Sequence, residues 1–186
     1  MAGDGAVEEQ VVAWLRSRGV ELEDIARIVF ELQHPRDPTL TLEDCLDSVR
    51  RVVQKREAQF AILTGIALDV MAEQGHLPEP LRSAIRNDDP LYGIDEVLAL
   101  AITNLYGSVG LTTFGFLDKR KVGVIGHLNR HRDGAVHTFL DDLVAGIAAA
   151  ASARLAHGRS QDDPLVQAGG RPQESRPGGR FVAQAG

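Results

Sequence analysis

Apolar positions recur along this chain at helical spacing from its first turns onward. In VEEQVVAWLRSRG, Val11, Trp14 and Leu15 fall on one face, and Gly19 stands where a helix would stop. ELEDIARIVFELQ repeats the pattern with Leu22, Ile25, Ile28, Val29 and Leu32 and ends ahead of Pro35. The two segments read as an N-terminal helical hairpin. After the loop HPRDPT, Thr41 and Asp44 resemble a capping box with Asp in the place usually held by Glu or Gln. The helical period then continues to Gly75, which predicts one long helix; Gly65 is its weak point, by ~1 kcal/mol against Ala.

A short helix is expected over 81–85, and NDDPLYG is a turn. DEVLALAITNLYG opens a second, very apolar helix at Asp95, with Gly107 and Gly110 expected to break it. TTFGFLDKRKVGVIGHLNRHRDG reads as short helices and turns. In the last helix, over 138–155, residues 143–151 carry no polar side chain at all. A helix that is apolar all round belongs inside a fold. The expected class is therefore all-α: a single-domain helical bundle whose two most apolar helices, 95–106 and 138–155, lie at the centre. Residues 1–55 form an N-terminal helical region and 56–157 the main helical domain. The Gly-, Pro-, Gln- and Ser-rich stretch 158–186 reads as a disordered tail.

Composition narrows the function classes. The 186 residues are 44% apolar and 25% charged, as in a globular protein, and the net charge of −6 with 5% aromatics argues against a nucleic-acid partner. One cysteine, Cys45, allows no internal disulfide and suits a reducing compartment. There is no signal-peptide pattern, and no uninterrupted apolar run approaches the ~20 residues of a membrane span. The expectation is a soluble, cytoplasmic protein.

The candidate chemistry lies at the start of the two apolar helices. Each opens on a carboxylate doublet, Asp95-Glu96 and Asp141-Asp142. Acidic residues in a first turn interact well with the helix dipole, and Thr138 is placed to cap the last helix. Two doublets leading the two most apolar helices also suggest a hard-cation site, because Mg²⁺ takes oxygen ligands and clustered carboxylates repel without a cation. Residues 142, 145, 146, 149 and 153 are Asp, Ala, Gly, Ala and Ala, a stripe that would let another helix approach closely. Lys119, Arg120, Lys121, Arg130 and Arg132 make a local basic patch, able to clamp phosphate oxygens or to remain a solvated loop. No histidine has zinc spacing, and His137 reads as a helix-entry residue. Asp69 is open between a further ligand and the polar edge of its helix.

GIDEVLALAI, LDKRKVGVI and FLDDLVAGIAAA resemble, in this order, the three motifs of the phosphatidylglycerophosphatase A family. They align Asp95-Glu96 with the family's Asp-Glu doublet, Asp118 and Lys121 with its Asp-x-x-Lys, and Asp141-Asp142 with Ala145-Gly146 with its Asp-Asp-x-x-Ala-Gly. The overlap runs over 56–157. Ala99 replaces a usual Gly, and Val122 and Val124 replace usual prolines. Many members are integral membrane proteins, and this chain is more similar to the soluble, all-helical branch.

The resemblance implies a Mg²⁺-dependent phosphoric monoester hydrolase acting on phosphatidylglycerophosphate, in phospholipid metabolism. Asp95, Glu96, Asp141 and Asp142 would be metal ligands, and Asp142, Asp141, Lys121 and Asp118 catalytic residues. The implied partners are a phosphorylated lipid and, through the basic patch, peripheral electrostatic contact with an anionic membrane; a homodimer is compatible. The alternatives are a soluble phosphatase of another phosphomonoester and a non-enzymatic helical interaction module. The paired Glu-x-x-Glu of helical nucleotide pyrophosphohydrolases is missing.

Overall fold

The computed structural model describes residues 4–130 and 134–162. Within them the fold is all-helical. The N-terminal hairpin is α1 (Asp4–Ser17) and α2 (Leu22–Gln33), joined at Gly19 with φ +79°. Val11, Leu15, Ile25, Ile28 and Val29 are buried, as the spacing predicts. The capping box at Thr41 is present: Asp44 N–H donates to Thr41 Oγ1 at 3.1 Å, and Thr41 N–H donates to Asp44 Oδ2 at 2.9 Å.

The single long helix expected from Thr41 to Gly75 is instead two, α3 (Leu42–Val53) and α4 (Arg56–Glu73), with extended backbone at Lys55 between them. Polar Gln54 and Lys55 interrupt the apolar seam, and the bend lets both helices reach the same core. Then come α5 (Leu81–Asn87), α6 (Ile94–Thr103), a 3₁₀ turn over Asn104–Tyr106, α7 (Gly107–Arg120), α8 (Gly123–Arg130) and α9 (Leu140–Asp162). Gly107, at φ +73°, does break the apolar segment. Gly110 does not: it sits inside α7, where a Cβ would come 2.9 Å from the Thr103 carbonyl oxygen. It is a packing glycine.

Helix α9 is the axis. Helices α2, α3, α4, α6, α7 and α8 all pack on it, and every residue from 138 to 153 is buried. Small residues make this possible. Gly146 lies against Ala99, whose carbonyl oxygen is 3.1 Å from where a Cβ would be. Gly65 of α4 lies against Phe139 and Leu143, so the expected weak point of that helix is a contact surface. The other apolar helix, α6, is not central as expected. Only Ala99, Ile102 and Thr103 of it are buried, and Ile94 and Val97 are half-exposed.

The 3₁₀ turn reverses the chain. Ala99 faces Gly146, Gly107 lies beside His157, and Lys121 returns to the start of α9, so α6 and α7 form a helical hairpin laid along the axis. The stretch Ile94–Arg120 contains an 18-residue window of mean hydropathy 1.4, apolar enough by composition for a membrane span, although Thr103, Asn104 and Gly107 interrupt the apolar run as expected. Its two helices have 10 and 14 residues, each too short for the ~30 Å hydrocarbon core.

Candidate functional site

The N-terminus of α9 is held by a buried carboxylate. Asp69, in the last third of α4, accepts a hydrogen bond from Phe139 N–H on Oδ1 and from Leu140 N–H on Oδ2, both at 3.1 Å. These are backbone donors that a helix start leaves unpaired. Thr138, expected to cap α9, instead donates its hydroxyl to the Ile85 carbonyl oxygen at 2.5 Å. Burial pushes the Asp69 carboxyl up, to about 8, while the two N–H groups and Arg18 pull it down. Asp69 thus caps the start of α9 from a neighbouring helix. The lead-in to α9 has a second anchor. Arg18 donates to Glu73 and, at 2.7 Å, to the Val136 carbonyl oxygen, while Val136 N–H donates to Glu73 Oε1 at 2.7 Å.

So positioned, the first turn of α9 presents Asp141 and Asp142 to Lys121. The ammonium donates to Asp141 Oδ2 at 3.0 Å and to Asp142 Oδ1 at 3.1 Å, and pairs with Asp118 Oδ1 at 2.7 Å. The reach follows from the backbone. Lys121 ends α7 in the left-handed conformation, φ +45°, which turns its stem back from the helix toward α9. This conformation is costly for a residue with a Cβ. Gly126 of α8 makes room for it, since a Cβ there would come 2.2 Å from the Lys121 carbonyl oxygen.

Burial sets the electrostatics. The Asp141 and Asp142 side chains are 8% and 6% exposed. Desolvation raises both carboxyls against the pull of Lys121, and with Asp141 beside it Asp142 reaches about 8. Burial also opposes the charge on Lys121, but Asp141 and Asp142 outweigh it and hold the ammonium above its ordinary value. The result is a compact group with more negative than positive charge and one carboxyl poised to exchange a proton near neutral pH.

This group forms one wall of an open cleft of about 420 Å³. Asp95 and Glu96, at the start of α6, line the same cleft together with Asp88 and Asp89. Asp95 accepts from Glu96 N–H at 3.0 Å, and burial raises its carboxyl. All six predicted site residues therefore face one space. They fall into two sets: Asp118, Lys121, Asp141 and Asp142 in direct contact, and Asp95 and Glu96 along the cleft. Among the described residues no three acidic, His or Cys side chains close into a ready-made metal cage. The donor set nevertheless suits Mg²⁺: it is all oxygen, and its surplus negative charge is what a hard cation relieves.

Other cleft residues were not legible beforehand. Asn129 donates to Asp141 Oδ2 at 3.3 Å and shares that oxygen with Lys121. Asp88 and Leu91 both adopt positive φ in the loop that forms the rim. Of the basic patch, Lys119, Arg120 and Arg130 are exposed, Lys121 turns inward, and Arg132 lies outside the described residues.

A family model described as phosphatidylglycerophosphatase A matches residues 11–157, which takes in the second half of α1 and all of α2 as well as the three motifs. The uncharacterized protein YutG of Bacillus subtilis is 53% identical over 151 residues, covering 81% of this chain and 91% of its own. The crystal structure of ypjQ from Bacillus subtilis superposes with a TM-score of 0.82 at 49% identity, covering 86% of this chain and 99% of that one. The low temperature requirement C protein of Listeria monocytogenes gives a TM-score of 0.80 at 53% identity, with 83% and 97% covered.

Proposed function

The chain belongs to the phosphatidylglycerophosphatase A family, and from that premise we propose that it is a Mg²⁺-dependent phosphatase that hydrolyses the phosphomonoester of phosphatidylglycerophosphate. The observation that carries this reading is the cluster of Lys121 with Asp118, Asp141 and Asp142, facing the Asp95-Glu96 doublet in one open cleft.

Asp95, Glu96, Asp141 and Asp142 would hold the cation. Bound there, Mg²⁺ supplies charge neutralisation for the phosphoryl oxygens. Lys121 is placed to exchange a carboxylate contact for a non-bridging phosphate oxygen and to hold it as negative charge develops. Asp118, the carboxylate of the cluster not assigned to the cation, would serve as the general acid–base group. Its carboxylate form takes a proton from water as the water oxygen bonds to phosphorus. The protonated carboxyl gives that proton to the departing alkoxide as the ester P–O bond breaks. Direct attack by a carboxylate, followed by hydrolysis of the acyl phosphate, uses the same residues. Asn129 and Lys121 keep Asp141 oriented, and Asp69 fixes the helix that carries both aspartates. Polar Asp88, Asp89 and Glu96 on the cleft walls suit the hydroxyls of a glycerol moiety beside the phosphate.

The test is phosphate release from phosphatidylglycerophosphate in mixed micelles and from a panel of soluble phosphomonoesters, with Mg²⁺ and with chelator. Release from the lipid that needs Mg²⁺ and is lost in Asp142→Asn is expected. Release only from a soluble ester would move the substrate. No release from any of them would remove the phosphatase reading.

A further inference from the structure

We infer that the outer face of the α6–α7 hairpin is the contact surface for a second copy of this chain, pairing hairpin against hairpin as a four-helix homodimer. The face is apolar, and among the described residues nothing covers it. On it Ile94 is 48% exposed, Val97 55%, Leu105 40%, Val109 38%, Leu111 38% and Phe116 47%. They form helical seams rather than a scatter: Ile94, Val97, Ala101 and Leu105 follow one stripe, and Leu111, Thr112, Gly115 and Phe116 another, all at exposed positions. Seams of this spacing are what one helix offers another. Thr112 adds its methyl, because its hydroxyl donates back to Ser108 and Val109 carbonyl oxygens at 3.1 and 3.2 Å.

Size and charge both select a copy of the chain over a lipid surface. These side chains reach the ~300–600 Å² of the largest patch on a typical monomer. With Ala101, Thr112 and Gly115 between them, the face approaches the ~800 Å² that each partner contributes to a standard interface. Residues 97–117 contain no charged side chain, so two such faces meet without burying an ion. Helices that lie on membranes carry Lys and Arg along their flanks. Here the whole stretch 91–118 holds no Lys or Arg, and its charges are Asp95, Glu96 and Asp118, which an anionic leaflet repels. Small Ala101 and Gly115 allow close helix approach. An isologous contact uses the one patch twice and closes, as a two-fold dimer requires.

The inference does not depend on the phosphatase reading, since none of these residues lines the cleft. Sedimentation equilibrium of the full chain across the micromolar range tests it. The expected mass is twice 20.1 kDa, falling to the monomer value in Val97→Glu and in Leu111→Glu and unchanged in Phe60→Glu, an exposed aromatic on α4. Hydrogen exchange of the unaltered chain gives a reading free of folding defects: amides of 94–117 should gain protection as protein concentration rises. A parent chain monomeric throughout this range overturns the inference. So does a dimer that survives both charge insertions, and so does salt-resistant flotation of a monomer with neutral phosphatidylcholine vesicles.

Discussion

Replacing Lys121 with Met keeps most of the buried stem and removes a cation that touches three carboxylates. In the parent, the ammonium lies 2.7–3.1 Å from oxygens of Asp118, Asp141 and Asp142. Removing one member of a buried ion pair costs ~3–5 kcal/mol. The Lys121 side chain is 26% exposed, so the lower part of that range applies. Proton uptake limits the loss further, because Asp142 already holds its proton up to about pH 8. The expected destabilisation is ~2–4 kcal/mol near pH 8 and smaller near pH 5, because the raised carboxyls take up protons as the pH falls.

The sign follows from linkage. Carboxyls raised above their unfolded values bind more protons in the folded state, so stability falls as pH rises from about 4 to about 8. The variant raises them further and must fall more steeply. For a chain of this size the loss near pH 8 corresponds to a melting-temperature drop of roughly 5–15 °C. Urea titrations of parent and variant at both pH values measure it. Equal penalties at the two pH values would show that Lys121 contributes packing and not charge neutralisation, and would refute the electrostatic account of the site.

Mg²⁺ should raise the melting temperature of the parent, by ~2.7 kcal/mol of stability at 100 times its dissociation constant, and Asp142→Asn should abolish the rise while leaving the metal-free protein within ~1 kcal/mol of the parent; differential scanning fluorimetry with a Mg²⁺ titration reads both. Asp69→Asn leaves one α9 backbone N–H facing an amide NH₂ in a buried site and should cost ~1–3 kcal/mol in urea melts, with phosphate release falling as the doublet loses its support. Gly65→Ala should destabilise by ~1–3 kcal/mol in thermal melts although Ala is the better helix former, because its Cβ would stand 2.6 Å from Leu143 Cδ1.

Local chemistry explains which parts of the site were legible in the sequence. The doublets announce themselves because a carboxylate at the head of an apolar helix conflicts with burial, and Asp118 with Lys121 completes the motif order. Position along the chain cannot reveal that Lys121 leaves its helix in a left-handed conformation and turns back toward α9. That depends on Gly126, five residues on in another helix, leaving space over its carbonyl. Asp69 was visible only as a polar residue in an apolar stretch. Its meaning comes from Phe139 and Leu140, seventy residues away, whose amides it receives. Thr138 shows the converse. It had the residue type of a helix cap, but its hydroxyl is directed to Ile85 by the packing of α5. The break at Lys55 was hidden because Gln54 and Lys55 could equally stand on the exposed side of an unbroken helix, and only the requirement that α3 and α4 both reach α9 exposes it.

The stretch 94–120 marks the limit of hydropathy as a guide to location within a fold. Two segments of similar apolar content, α6 with α7 and α9, have opposite surroundings: 28% of the most apolar window of the first is buried, whereas 138–153 of the second is buried throughout. The difference lies in residue size. Helix α9 is apolar through alanine and glycine, so six helices can close on it from all sides. Helices α6 and α7 are apolar through Ile, Val, Leu and Phe, and their small residues are divided. Ala99 faces inward against Gly146 and Gly110 lets α7 close on Thr103 of α6, while Ala101 and Gly115 face outward, where no described residue uses them. A solvent-facing surface has no need of small residues set between large apolar ones. A surface that receives another helix does, and the two outward small residues are the local feature that separates an interface from a merely apolar exterior.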